Sequence, residues 1–279
     1  MHSLKQGTIA PDAPSHWSST GSLKQMNRTL VAGLGSAALL VVVSPTAKAD
    51  AFLSLQNSAD IVSCNTSIAI SATNCSPTLF TVNGNKIEFV GIVGGYSVTD
   101  LTLTSNAPGT NALAFATDTK TAVSNISAGL SPLIVSFAVN NFGLPAGSPL
   151  TLSASQSATF VTAAAGSSQG FTAWANAANT LDVMTGPPFV TPPPCVNPAA
   201  APPENACSSV GIPVAFTHAG PFALNGRETI NLNPGGIADF QGSLAVTAAT
   251  TTPEPASLVL LATGLLGLVG GRRVFRRNA

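Results

Sequence analysis

Leu79-Phe80-Thr81-Val82-Asn83-Gly84-Asn85-Lys86-Ile87-Glu88-Phe89-Val90-Gly91-Ile92-Val93 decides the fold class. Two runs rich in β-branched and aromatic residues flank Asn83-Gly84, a pair that accepts the positive φ of a tight hairpin turn. Ile87, Phe89, Gly91 and Val93 fall on one face of the second run. Side chains of a strand alternate between faces, so this spacing predicts a half-buried antiparallel strand.

The same pattern extends outward. Phe52–Gln56 and Ile61–Ala72 precede the hairpin as strand candidates. Val98–Thr104 follows it, with Thr99, Leu101 and Leu103 expected on one side. Ala112–Ala116, Ser131–Val139, Leu150–Ala154 and Ala158–Ala163 continue the series. Phe171–Ala178 reads instead as one or two helical turns, because Ala-Trp-Ala-Asn-Ala-Ala is permissive for helix. Trp174 is expected in the core rather than at a ligand platform. Pro213–Thr217, Pro221–Leu224 and Glu228–Leu232 precede the turn Asn233-Pro234-Gly235-Gly236. Ile237–Val246 then places Ala238, Phe240, Gly242, Leu244 and Val246 on one face. Many short strands with Gly, Pro and Asn between them predict an all-β, antiparallel β-sandwich, jelly-roll-like, over residues 50–247.

Residues 187–203 carry eight prolines, which excludes helix and disfavours strand. The segment reads as a long, stiff surface loop and not as an interdomain linker. Only about 49 residues follow before the tail, few for a second core.

Charge is unevenly placed. Within residues 50–247 only Lys86, Lys120 and Arg227 are basic, and nine acids oppose them, a net charge of −6. An acidic body without a basic stripe argues against nucleic acid as a partner. Cys64, Cys75, Cys195 and Cys207 are an even set and, in an exported body, read as two disulfides. Of three possible connectivities, Cys64–Cys75 and Cys195–Cys207 are favoured, each closing a loop worth about 3 kcal/mol. No Cys-x-x-Cys occurs and no metal or other cofactor is expected.

No catalytic residues are assigned. His218 is the only histidine of the body and stands beside a turn. There is no phosphate-cradling glycine loop, and no calcium-loop spacing among Asp60, Asp100 and Asp118. Asn65, Asn74 and Asn125 each start an Asn-x-Ser triplet.

The ends carry addresses. Residues 1–25 are polar and read as an extension or a mis-assigned start. Residues 26–49 combine Arg28, the apolar run Leu30–Val43 and the small-residue pair Ala47 and Ala49. That order is a secretory signal peptide with cleavage before Asp50, which implies signal peptidase and the general secretion machinery as partners.

Residues 248–252 form a Thr-rich spacer, and residues 253–279 follow in three parts. Pro253-Glu254-Pro255 is held extended by its prolines. Ala256–Gly271 is uncharged, and its sixteen residues as a helix span roughly 24 Å, short of the ~30 Å hydrocarbon core. Arg272, Arg273, Arg276 and Arg277 then halt transfer on the cytoplasmic side. With Ser257 and the stretch Gly264-Leu265-Leu266-Gly267-Leu268, this tail resembles the PEP-CTERM sorting signal of Gram-negative bacteria.

The resemblance implies processing by exosortase, a membrane-embedded cysteine-protease-like enzyme. It implies passage through an inner-membrane intermediate to the cell surface or the extracellular polysaccharide matrix. A structural or adhesive role in exopolysaccharide or biofilm would follow. The alternatives are a carbohydrate-binding module or hydrolase with the same delivery signal, and a simple membrane-anchored surface protein left unprocessed.

Overall fold

The computed structural model describes residues 48–68, 74–199 and 204–248, together with Thr263. The expected signal peptide up to Ala47, the sorting motif Pro253, Glu254, Pro255 and Ser257, the hydrophobic segment other than Thr263, and the four tail arginines lie outside the described residues.

The described chain is all-β. It opens with β1 (Ala51–Asn57), β2 (Asp60–Asn65), β3 (Phe80–Asn83), β4 (Lys86–Val93) and β5 (Tyr96–Ser105). It continues through β6 (Leu113–Asn125), β7 (Leu133–Phe142), β8 (Leu150–Thr162) and β9 (Ser168–Asn176). Short segments follow: β10 (Phe189–Val190), β11 (Cys195–Val196), β12 (Asn205–Val210) and β13 (Val214–Phe216). The last two strands are β14 (Phe222–Asn231) and β15 (Ile237–Ala248).

These strands form two antiparallel sheets. The first runs β10-β9-β14-β7-β1-β2, with β11 also on β9. The second runs β12-β8-β15-β6-β5-β4-β3, with β13 also on β8. β3 and β4 are a true hairpin, Phe80 opposite Phe89, and Gly84 in its turn has a φ of 59°. From β6 onward the chain crosses between sheets: β6, β8, β12, β13 and β15 lie in the second, and β7, β9, β10, β11 and β14 in the first.

Alternating burial along each strand joins the two inner faces in one apolar core. Leu53, Leu55, Phe137 and Phe171 come from the first sheet, and Ile87, Phe89, Phe160 and Phe240 from the second. Phe137 and Phe171 stack at 6.1 Å, and Phe160 meets Phe240 edge-on at 6.1 Å. Each fully buried Phe or Leu contributes roughly 1.5–3 kcal/mol of transfer free energy. Gly226, opposite Phe137 on β14, makes room for that ring: a Cβ there would lie 2.4 Å from it.

Four readings of the sequence are corrected. Phe171–Ala178 contributes no helix; residues up to Asn176 belong to β9, which buries Phe171, Ala173 and Ala175 and turns Thr172, Trp174 and Asn176 outward. Trp174 is thus on the outer face and half-buried, not in the core. In β5 the register shifts opposite Phe89 and Gly91, so Val98 is buried and Thr99 exposed. A β-bulge adds a residue and reverses the facing of everything beyond it. Finally, the candidates Leu150–Ala154 and Ala158–Ala163 are one strand, β8, and Ala112–Ala116 is only the start of β6.

The proline-rich segment carries β10 and β11 along the outer edge of β9. An edge needs amide donors on one side only, so proline is tolerated there. Val190, Cys195 and Asn197 are buried.

The two disulfides sit at opposite edges. Cys195 on β11 joins Cys207 on β12, tying the first sheet to the second at one side. Cys64 on β2 joins Cys75, in the approach to β3, at the other. The first bridge spans the two sheets; the second ties β2 to the loop that follows it, where Cys75 N donates to the Ser63 carbonyl at 3.3 Å.

Candidate functional site

Two places stand out among the described residues, one open and one closed. The open one is a cleft of about 510 Å³ beside the outer face of the first sheet. It is built because β9 turns Trp174 outward and pairs it with Phe189 of β10, which is half exposed. Val183, Pro187 and Pro188 supply further walls, and Phe216 and Thr217 border it from the end of β13. The loop 177–188 is pinned to the sheet: Asn179 Nδ2 donates to Asn141 Oδ1 at 2.7 Å, and Asn141 N donates to Asn179 Oδ1 at 2.8 Å. Burial pushes the Asp182 carboxyl up from its usual range, with Arg227 of β14 pulling the other way. A concave site with aromatic walls and a few polar groups suits a small uncharged ligand with apolar faces, and its size falls in the ~300–1,000 Å³ range of ligand pockets.

The closed place lies in the core. β6 continues its inward series Ala114 and Ala116 with Asp118 and Lys120. From the opposite sheet β14 contributes Glu228 and β9 contributes Gln169. All four side chains are buried. Lys120 Nζ contacts both Asp118 Oδ2 and Glu228 Oε2. Gln169 Nε2 donates to Glu228 Oε1 at 2.6 Å and to the Gln241 carbonyl at 2.9 Å. Gly242 N donates to Asp118 Oδ1 at 3.0 Å. Burial pushes the Glu228 carboxyl up to about 8; Lys120 opposes the shift and Asp118 adds to it. Burial pulls the Lys120 ammonium down, but the Asp118 and Glu228 carboxyls more than offset it and the net direction is up. A proton on Glu228 removes one charge from the cluster, and a dry core tolerates fewer charges better.

Gly242 is shaped to this cluster. A Cβ there would lie 2.6 Å from Asp118 Oδ1 and 2.9 Å from the Phe171 ring. Gly242→Val is expected to cost about 1–3 kcal/mol through overpacking. A urea-unfolding midpoint equal to that of the unsubstituted protein would contradict this.

The other residues singled out from sequence have plain structural settings. His218 stacks on Phe216, with Nδ1 2.6 Å from the Gly220 carbonyl and Nε2 3.1 Å from that of Gly147. Neither nitrogen faces a nucleophile there. Asn65 and Asn125 each accept from the Ser two residues on, by N–H and by hydroxyl, the geometry of an Asx turn. Asn125 is also fully buried and donates to the Leu232 carbonyl, so it is closed to a glycan. Asn74 Nδ2 donates to the Asn65 carbonyl at 2.8 Å. At the head of the body, Asp50 N donates to Asn140 Oδ1 at 2.8 Å, just past Ala49.

Sequence reasoning missed the buried cluster altogether. Asp118 and Lys120 at a spacing of two, continuing the phase of Ala114 and Ala116, were the available signal. Glu228 and Gln169 come from strands far away in the chain.

No curated protein matches the chain in sequence. One part of it is recognised nonetheless: Pro253, Glu254, Pro255, Ser257 and the arginines after Gly271 fall inside a single matched stretch, and residues 251–277 carry the PEP-CTERM protein-sorting motif.

Proposed function

We propose that the body is extracellular cargo, sorted by exosortase and serving as a structural or adhesive component of an exopolysaccharide matrix. The motif at residues 251–277 carries this reading, since it marks an exported protein sorted to the cell surface. The two disulfides agree with an oxidising destination. We read the crossing pattern as a jelly roll, β6-β15-β8 with β12 and β13 facing β7-β14-β9 with β10 and β11, widened by β1 to β5. That architecture also serves lectins, an association of fold and not of site.

Within this reading the cleft at Trp174 is where a glycan would rest. A pyranose has apolar C–H faces that fit an aromatic wall and hydroxyls that bond polar neighbours such as Asn176 and Thr217. Two measurements test the proposal. An epitope tag placed after Ala279 is expected to disappear from the surface-delivered protein; its retention would argue for a simple anchor. In affinity electrophoresis through exopolysaccharide, the protein is expected to be retarded and Trp174→Ala to migrate at least tenfold closer to free mobility, the cost of about 1.4 kcal/mol. Equal mobility of the two in the presence and absence of polymer would remove the cleft from the proposal.

A further inference from the structure

The buried cluster contains the parts of a condensation reaction. An amine, Lys120 Nζ on β6, touches the carboxyl oxygen Oε2 of Glu228 on the facing strand β14. The other oxygen of that carboxyl, Oε1, accepts a hydrogen bond from Gln169 Nε2 at 2.6 Å. A second carboxyl, Asp118, touches the same amine through Oδ2, while Gly242 N–H fixes its Oδ1 at 3.0 Å. All the side chains are buried, so water does not compete.

We propose that Lys120 and Glu228 condense to an amide across the core, with Asp118 moving the protons. Each atom has a role. Moving one proton from Nζ to Asp118 Oδ2 turns the ion pair into an amine and an acid without changing the total charge, and a dry core favours uncharged groups. Nζ then attacks Glu228 Cδ, which is more electrophilic in the protonated carboxyl than in a carboxylate. Charge developing on Oε1 meets the Gln169 N–H, a donor already in place. The Nζ–Cδ bond forms and the Cδ–Oε2 bond breaks. Oε2 leaves as water, with the proton it carried and the one returned by Asp118. Asp118 takes the second proton from Nζ and ends as the neutral acid, which can still hydrogen-bond the new amide. No oxidant, metal or activated donor is required, and one water is the only product released.

The site favours the forward direction. Reactants held in contact on two rigid sheets react as if at very high concentration. The amide also removes an ionic group from the core, where burial is costly. The bond joins β6 of one sheet to β14 of the other in mid-core, far in sequence from either disulfide.

The test is the intact mass of the full chain as the cell delivers it, denatured and with its disulfides reduced. The expected mass is lower by one water than the sum of the residues present, with the loss located by fragmentation on a branched peptide joining the Lys120 and Glu228 segments. Trypsin is expected to pass over Lys120. An unreduced mass, or a water lost from any other segment, overturns the proposal, and this readout needs no variant to fold. Lys120→Arg is expected to show the full mass. Asp118→Asn is expected to condense at least a hundredfold more slowly, as for loss of a general acid–base. Condensation of that variant at the unsubstituted rate would overturn the role given to Asp118. Glu228→Gln offers ammonia as the leaving group, so a condensed product of the same mass as the unsubstituted one is expected from it.

Discussion

Lys120→Ala is expected to destabilise the protein by about 3–5 kcal/mol relative to the chain before Lys120 and Glu228 condense, the usual cost of removing one partner of a buried charge cluster. Asp118 and Glu228 would then face each other across the core with no cation between them. The urea midpoint, measured beside that of a surface substitution such as Lys86→Ala, is the check. Lys86 pairs with Glu88 on an exposed part of β4, where an ion pair contributes little. A combined Asp118→Leu, Lys120→Met, Glu228→Leu variant is expected to recover part of the loss, because an apolar replacement of similar volume leaves no charge stranded. Recovery would stay incomplete, since Gly242 N–H would lose its acceptor on Asp118. A single substitution as mild as the one at Lys86 would show that the cluster is solvated in the folded state.

Removing both disulfides, by Cys64→Ser with Cys75→Ser and Cys195→Ser with Cys207→Ser, is expected to cost about 5 kcal/mol. The two loops span 11 and 12 residues and do not overlap, and the bridges lie at opposite edges of the body. Their contributions should therefore add. Each pair removed alone is expected to give close to half the total in urea unfolding. A loss confined to one pair would mean that the other edge is held by its hydrogen bonds alone. On that side Cys75 N also donates to the Ser63 carbonyl at 3.3 Å.

Much of this architecture is legible in the chain wherever hydropathy contrast follows a period of two. The Asn83-Gly84 hairpin and the inward series Ala238, Phe240, Gly242, Leu244 and Val246 are such places, and all five of those residues are buried. The reading fails where contrast vanishes or the period breaks. In β9 the inward residues are Phe171, Ala173 and Ala175, and alanine says equally little in helix and strand. The bulge opposite Phe89 and Gly91 leaves no mark in composition, yet it decides which of Val98 and Thr99 is inside. The cluster at Lys120 was hidden for another reason. A lysine on a strand is ordinarily taken to face water, and only the inward neighbours Ala114 and Ala116 betray its direction. Trp174 was misplaced because aromatic size suggests a core; its neighbours in β9 show that the odd residues, not the even, point in.

The placement of β15 has a mechanical meaning. The strand that leads to the tail lies between β8 and β6 and is paired on both sides, to Leu150 at Ala248 and to Leu113 at Thr247. A pull transmitted from the cell envelope would arrive along this strand's own axis. Ladder bonds run crosswise to that axis, so two rows of them would be strained together in shear instead of opening one after another like a zip. A body moored this way should resist flow and drag far better than one moored through a strand at its rim.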